Sequence, residues 1–200
     1  MVSDIITITS DGMNMDQALN QTSKVAVFKD LSPKDALHLR LLAEEMMGMM
    51  RSITHEASGK FWIEDQSENG TFLLHLKTET IVDAEKRREL LSASTSGKNE
   101  ATHSLMGRLR EFFFRGADED IAAYHTPTMD AGLAVNMPQT DWQWSMTRYR
   151  NTLSSLKEET PGAAAAWDEL EKSVVHSVAD DVKISIKGWE TEMIIIKKLS

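Results

Sequence analysis

Two hundred residues, of which 41% are hydrophobic and 26% charged, hold enough apolar material for one buried core and exclude a disordered polymer. The 22 Lys and Arg against 31 Asp and Glu leave a net charge of −9, which argues against nucleic acid or an anionic membrane as partner, because phosphate recognition needs clustered cations. The absence of cysteine removes disulfides, thiol nucleophiles and cysteine-ligated zinc, and no apolar run approaches the ~20 residues of a membrane span, so a cytoplasmic location is expected.

Along the chain, Ile5-Ile6-Thr7-Ile8-Thr9 is β-branched throughout and predicts a strand, stopped by the turn Ser10-Asp11-Gly12. A helix is expected over 14–29, with Ala18, Leu19, Val25, Ala26 and Phe28 as its apolar set and Asn14 or Asp16 as its cap. The second helix is the best signalled. Ser32 precedes Pro33 at the first helical position, and Asp35 adds negative charge to the first turn. From there to about His55, Leu39, Leu42, Met46, Met49, Met50 and Ile53 recur at three- and four-residue steps and mark one buried face. Arg40, Glu44, Gly48 and Arg51 occupy the other side, and Glu45 lies at the border.

Strands are expected over 60–64 and 71–78, joined by Glu68-Asn69-Gly70, since Asn-Gly between two such runs signals a hairpin. Helices follow over 83–91 and 100–114, separated by a Ser- and Gly-containing loop, and residues 117–141 are irregular. Trp142, Trp144 and Tyr149 open a predicted helix to about Glu159; Pro161-Gly162 breaks it, and one more helix spans 163–179. The close is a hairpin. Val182, Ile184 and Ile186 alternate with Lys183, Ser185 and Lys187, and 193–197 is apolar on both faces, as a central strand is. The economical assembly is α+β: a two-layer α/β sandwich, a mixed sheet with helices on one face.

Chemistry is sparsely signalled. The six histidines (38, 55, 75, 103, 125 and 176) form no HxH, HExxH or paired-ligand spacing, so no metal site is expected. No GxxxxGK[ST], GxGxxG or GxSxG motif occurs. Gly97-Lys98, a cation in a loop before a helix, is the nearest approach to an anion site. Met46, Met47, Met49 and Met50 read as adaptable core filler or as a plastic binding surface. The tryptophans 142, 144 and 189 either cover the core or line a groove. Glu44 and Glu45 are the acids that suit chemistry, and equally an ordinary solvated helix edge.

The acid-bearing helix Leu41-Leu42-Ala43-Glu44-Glu45-Met46-Met47-Gly48-Met49, the hairpin after it, the Leu105-Met106-Gly107-Arg108-Leu109 segment and the terminal Met193-Ile194-Ile195-Ile196-Lys197-Lys198-Leu199 strand together resemble the histidine-kinase-like ATPase (GHKL) superfamily. The anti-sigma factor serine kinase branch is similar in length and layout. The resemblance spans about residues 4–114 and the last hairpin. It implies one Bergerat-like domain over 1–200 with a helical insertion at about 117–179. In that family the second helix carries Glu-x-x-x-Asn, the Glu polarising the attacking group and the Asn holding Mg²⁺; here Glu45 leads to Met49, and Glu44 to Gly48. The Asp-x-Gly-x-Gly that follows the second hairpin strand is replaced by Lys77-Thr78-Glu79-Thr80-Ile81-Val82-Asp83, and the later glycine-rich box reduces to Gly97 and Gly107. The resemblance therefore implies a non-catalytic or altered regulatory module that needs no cofactor and meets a sigma-factor-like or antagonist protein, or an apolar small ligand. The alternative it implies is an active kinase or ATPase, with Glu45 or Glu44 as base, Mg-ATP as cofactor, and Met49, Glu79, Asp83, Gly97, Lys98 and Gly107 around the nucleotide.

Overall fold

The computed structural model describes residues 1–53, 58–66, 70–79, 142–187 and 190–199. Among these, β1 (Ile6–Thr9), α1 (Met15–Phe28), α2 (Pro33–Ile53), β2 (Ser58–Gln66), β3 (Thr71–Glu79), β4 (Trp142–Ser145), α3 (Met146–Leu156), α4 (Pro161–Glu171), α5 (Val174–Val178), β5 (Asp181–Lys187) and β6 (Glu190–Lys198) follow in order. The expected helices over 83–91 and 100–114 and the irregular segment 117–141 lie outside the described residues.

The six strands form one sheet in the order β1-β2-β3-β6-β5-β4. Every pairing is antiparallel, so the expected mixed sheet is corrected to an antiparallel one. The reason is the connection between β1 and β2. Two helices, rather than one, return the chain to the end of the sheet it left, and β2 then runs against β1. The terminal strand lies between β3 and β5, as its apolar faces predict.

Register sorts the side chains into two faces. Ile6, Phe61, Leu76, Met193 and Ile184 face one another across the sheet, and Ile63, Leu74, Ile195 and Val182 form the next row. All nine are buried, in one cluster with Met15, Ala18 and Val25 of α1, with Leu39, Leu42, Met46, Met49 and Met50 of α2, and with residues of α3, α4 and α5. Thus the helices cover this face and the two-layer α+β arrangement holds for the described residues. Gly59 permits a close approach on this face: a Cβ there would meet Leu76 Cδ1 at 2.9 Å and Met50 Cε at 3.3 Å. Asp65 also lies on this face, opposite Phe72, and its buried carboxylate is paired with Lys29 just beyond α1.

Local capping departs from expectation in instructive ways. Asn14 sits at the start of α1 with φ +60°, but its side chain donates to the Thr7 carbonyl at 2.9 Å, tying the helix to β1 instead of capping it. Phe28, expected in the apolar set, is 73% exposed because Val25 and Ala26 take the buried positions of the last turn. At α2, Ser32 accepts from the Asp35 amide and donates to the Asp35 carboxylate, a reciprocal cap.

The segment from Trp142 onward also differs. Trp142 to Ser145 forms a strand on the edge of the sheet, Trp144 opposite Ile184, and helix begins only at Met146. Alternating aromatic residues pair on a pleated edge more favourably than they continue a helix. Ser145 caps α3 through the Arg148 amide, and Asp181 of β5 accepts from the Thr147 amide at 3.0 Å. Pro161 does not break a helix but begins α4, with Thr160 as cap. The predicted 163–179 helix is two, because Ser173 caps a separate α5. Residues 142–178, expected within an insertion, supply a sheet strand and five core side chains: Met146, Leu153, Ala166, Leu170 and Val175.

Candidate functional site

Among the described residues, two regions hold the polar groups that bear on chemistry. The first is the outer side of α2. The Glu44 carboxylate pairs with Arg40 at 3.1 Å, one helical turn back, and Arg40 also donates to Ser23 of α1 at 3.2 Å. Both charged side chains are over 40% exposed, so the pair is a surface contact of small energy. Glu45 is half-buried beside it. Met46, Met47, Met49 and Met50 are all buried, at 4% exposure or less, so the sequence's choice between core filler and binding surface falls to core. Gly48 is exposed, with nothing among the described residues within 4 Å of a Cβ placed there. Glu79 ends β3 opposite Glu190. Asp83, Gly97, Lys98 and Gly107 lie outside the described residues, as does Trp189. Trp144 packs against the core and meets the Tyr149 ring at 5.9 Å.

The second region is the face of the sheet turned away from the helices. Trp62, His75 and Ile194 stand in one row across β2, β3 and β6, and Glu64, Leu73 and Ile196 in the next. Trp62 stacks on the His75 ring, centroid to centroid 4.6 Å and 8° from parallel. His75 Nδ1 lies 2.9 Å from Glu192 Oε1, and Nε2 lies 3.6 Å from Glu64 Oε2. The other oxygen of Glu64 accepts from Gln66 Nε2 at 3.0 Å. The His75 side chain is 8% exposed, whereas the two glutamates are 35% and 32% exposed. An imidazole is thus held edge-on between carboxylates from both neighbouring strands, under an indole. Lys77 and Glu190 pair at 2.9 Å in the same pair of strands.

The spacing of the histidines along the chain carries no sign of this cluster. His75 and Glu192 are 117 residues apart, and only the β3–β6 register brings them together. The available signal was parity: Glu64, His75 and Glu192 each fall on the alternate positions that the core pattern of their strand leaves over.

Of the other histidines described, His176 on α5 is half-buried with Nε2 enclosed. Burial holds its pKa below the ordinary 6.5, Arg150 adds to the effect, and Glu171 opposes it. Among the described residues no group of three His, Asp or Glu side chains converges as a metal cage, and no helix is long and apolar enough to cross a membrane. No family model, no curated protein and no solved structure matches the chain.

Proposed function

We propose that the chain is an altered histidine-kinase-like ATPase-type domain, close to the anti-sigma branch, that works in the cytoplasm as a regulatory interaction module without phosphoryl transfer. The observation that carries this reading is on α2. Four residues beyond Glu45, where the family holds Mg²⁺ through an amide, stands Met49, buried at 1% in the core; four beyond Glu44 stands Gly48, with no side chain. A triphosphate needs a metal to offset its charge and a ligand for that metal. Neither register of this helix offers one.

Further support comes from the order of elements. A strand, two helices and a hairpin lead the chain, and a terminal hairpin inserts its last strand beside the second strand of the first. The acid-bearing helix lies over that central pair. With the methionines committed to the core, an apolar small ligand loses its pocket and a protein partner is the better reading. Val27 (81%), Phe28 (73%) and Leu37 (55%) are exposed apolar side chains where α1 meets α2, the kind of surface a partner covers.

Titration calorimetry of the full chain with Mg-ATP tests the reading. No binding heat is expected up to millimolar nucleotide, because two missing charge-assisted contacts at ~1.5–3 kcal/mol each weaken binding by roughly a hundredfold or more. A micromolar dissociation constant that disappears in Glu45→Ala would refute it and establish a working nucleotide site.

A further inference from the structure

A carboxylate only accepts hydrogen bonds, so the 2.9 Å contact with Glu192 puts a hydrogen on His75 Nδ1. In the neutral ring the lone pair then belongs to Nε2. That nitrogen is enclosed, has no hydrogen-bond partner among the described residues, and faces Glu64 Oε2 at 3.6 Å. Two lone-pair atoms turned toward each other at this distance repel unless a cation stands between them. We propose that Glu64 and His75 form a binding site for a divalent transition-metal ion of the zinc class, with Gln66 and Glu192 as positioning residues.

The geometry suits such an ion. Two bonds of about 2.1 Å reaching donors this far apart meet at about 120°, within the range of a four-coordinate site. Both ligands are already held by neighbours. Gln66 holds Glu64 Oε1 at 3.0 Å and leaves Oε2 toward the histidine, and Glu192 fixes the tautomer and plane of His75. A metal-ligating histidine characteristically donates its other nitrogen to a carboxylate in this way. Trp62, stacked on the ring, excludes water from one side. The glutamates, each about a third exposed, provide the route in. An imidazole–carboxylate pair selects zinc, cobalt or nickel over magnesium or calcium, which prefer all-oxygen sets. Two protein ligands, one fewer than an ordinary open zinc site supplies, leave the remaining positions to water or to donor atoms of a bound molecule.

The test uses the tag-free full chain, titrated calorimetrically with zinc chloride near neutral pH and, separately, with Co²⁺ followed by visible absorption. One ion per chain is expected. His75→Gln and Glu64→Gln should each weaken binding by about tenfold or more, and Glu192→Gln by about 10–100-fold, the usual effect of losing an outer partner. His176→Gln, on α5, should leave the titration unchanged. Circular dichroism establishes that each variant folds; if His75→Gln does not, the half-exposed Glu64→Gln decides. Absence of Zn²⁺ or Co²⁺ uptake at millimolar metal overturns the proposal. So does uptake that Glu64→Gln leaves untouched.

Discussion

Replacing Met46 with aspartate sets the packing of α2 against the chemistry of a buried charge. Met46 is fully enclosed, on the face of α2 that covers the sheet. Losing its apolar contacts costs about 2 kcal/mol. The introduced carboxyl then either ionises in the core or stays protonated, and protonation is the cheaper response. At pH 7, about three units above the ordinary carboxyl value, it costs ~4 kcal/mol. The sum, ~6 kcal/mol, rivals the whole stability of a typical domain of 5–15 kcal/mol. The sign with pH is definite. A carboxyl whose folded pKa is raised destabilises most at high pH, and the penalty shrinks as pH falls toward the unfolded value. At pH 5 the difference from the parent should therefore be smaller by about 3 kcal/mol than at pH 7. Urea unfolding at both pH values measures this, with Met46→Leu as a volume-conserving control expected to cost under about 1.5 kcal/mol. A thermal midpoint within about 2–4 °C of the parent at pH 7, equivalent to only ~1 kcal/mol, would refute the burial of this helix face.

Two further substitutions probe the frame. Gly70 has φ +59°, and a Cβ there would meet the Leu199 carbonyl oxygen at 2.8 Å, so Gly70→Ala should lower stability by about 2 kcal/mol in urea titration, strain and clash together. An unchanged midpoint would mean that the chain end does not pack against this turn. His176 disfavours its charged form through burial and Arg150, so the folded state takes up a proton less readily than the unfolded chain. Stability should fall as pH drops below 6.5, and His176→Gln should flatten that decline; a variant whose pH profile parallels the parent's would contradict it.

What the sequence made legible follows from how local each signal is. The 3.6-residue period of α2 and its Ser32-Pro33 start fixed the helix and its buried face without reference to anything else. The alternation of Val182, Ile184 and Ile186, and the two apolar faces of 193–197, likewise predicted β5 and a central β6. The four residues of β4 were illegible because one alternation, Trp142 and Trp144, is too short a signal beside the helix that follows, and only β5 gives the segment a partner. The split at Ser173 failed for the opposite reason: a cap inside a continuous helical pattern is one residue against sixteen. Phe28 leaves the apolar set because a helix end frees its last side chains from the stripe that the interior obeys.

The site on the second face was out of reach for a deeper reason. In a half-buried strand the polar positions read as solvated, and for Lys60 and Lys183 that reading is right. Yet Ile194 and Ile196 repeat apolar side chains on the same parity of β6, and Leu73 on that of β3, so this face is half-covered too. A histidine set among them loses water on most of its surface, and only then do carboxylates on the neighbouring strands, at Glu64 and Glu192, become its obligatory partners. Glu45 and His75 consequently stand on opposite sides of one sheet, one over the helical layer and one beneath it. The proposed loss of nucleotide chemistry on the first side places no constraint on the proposed metal site on the second, and each is decided by variants that leave the other intact.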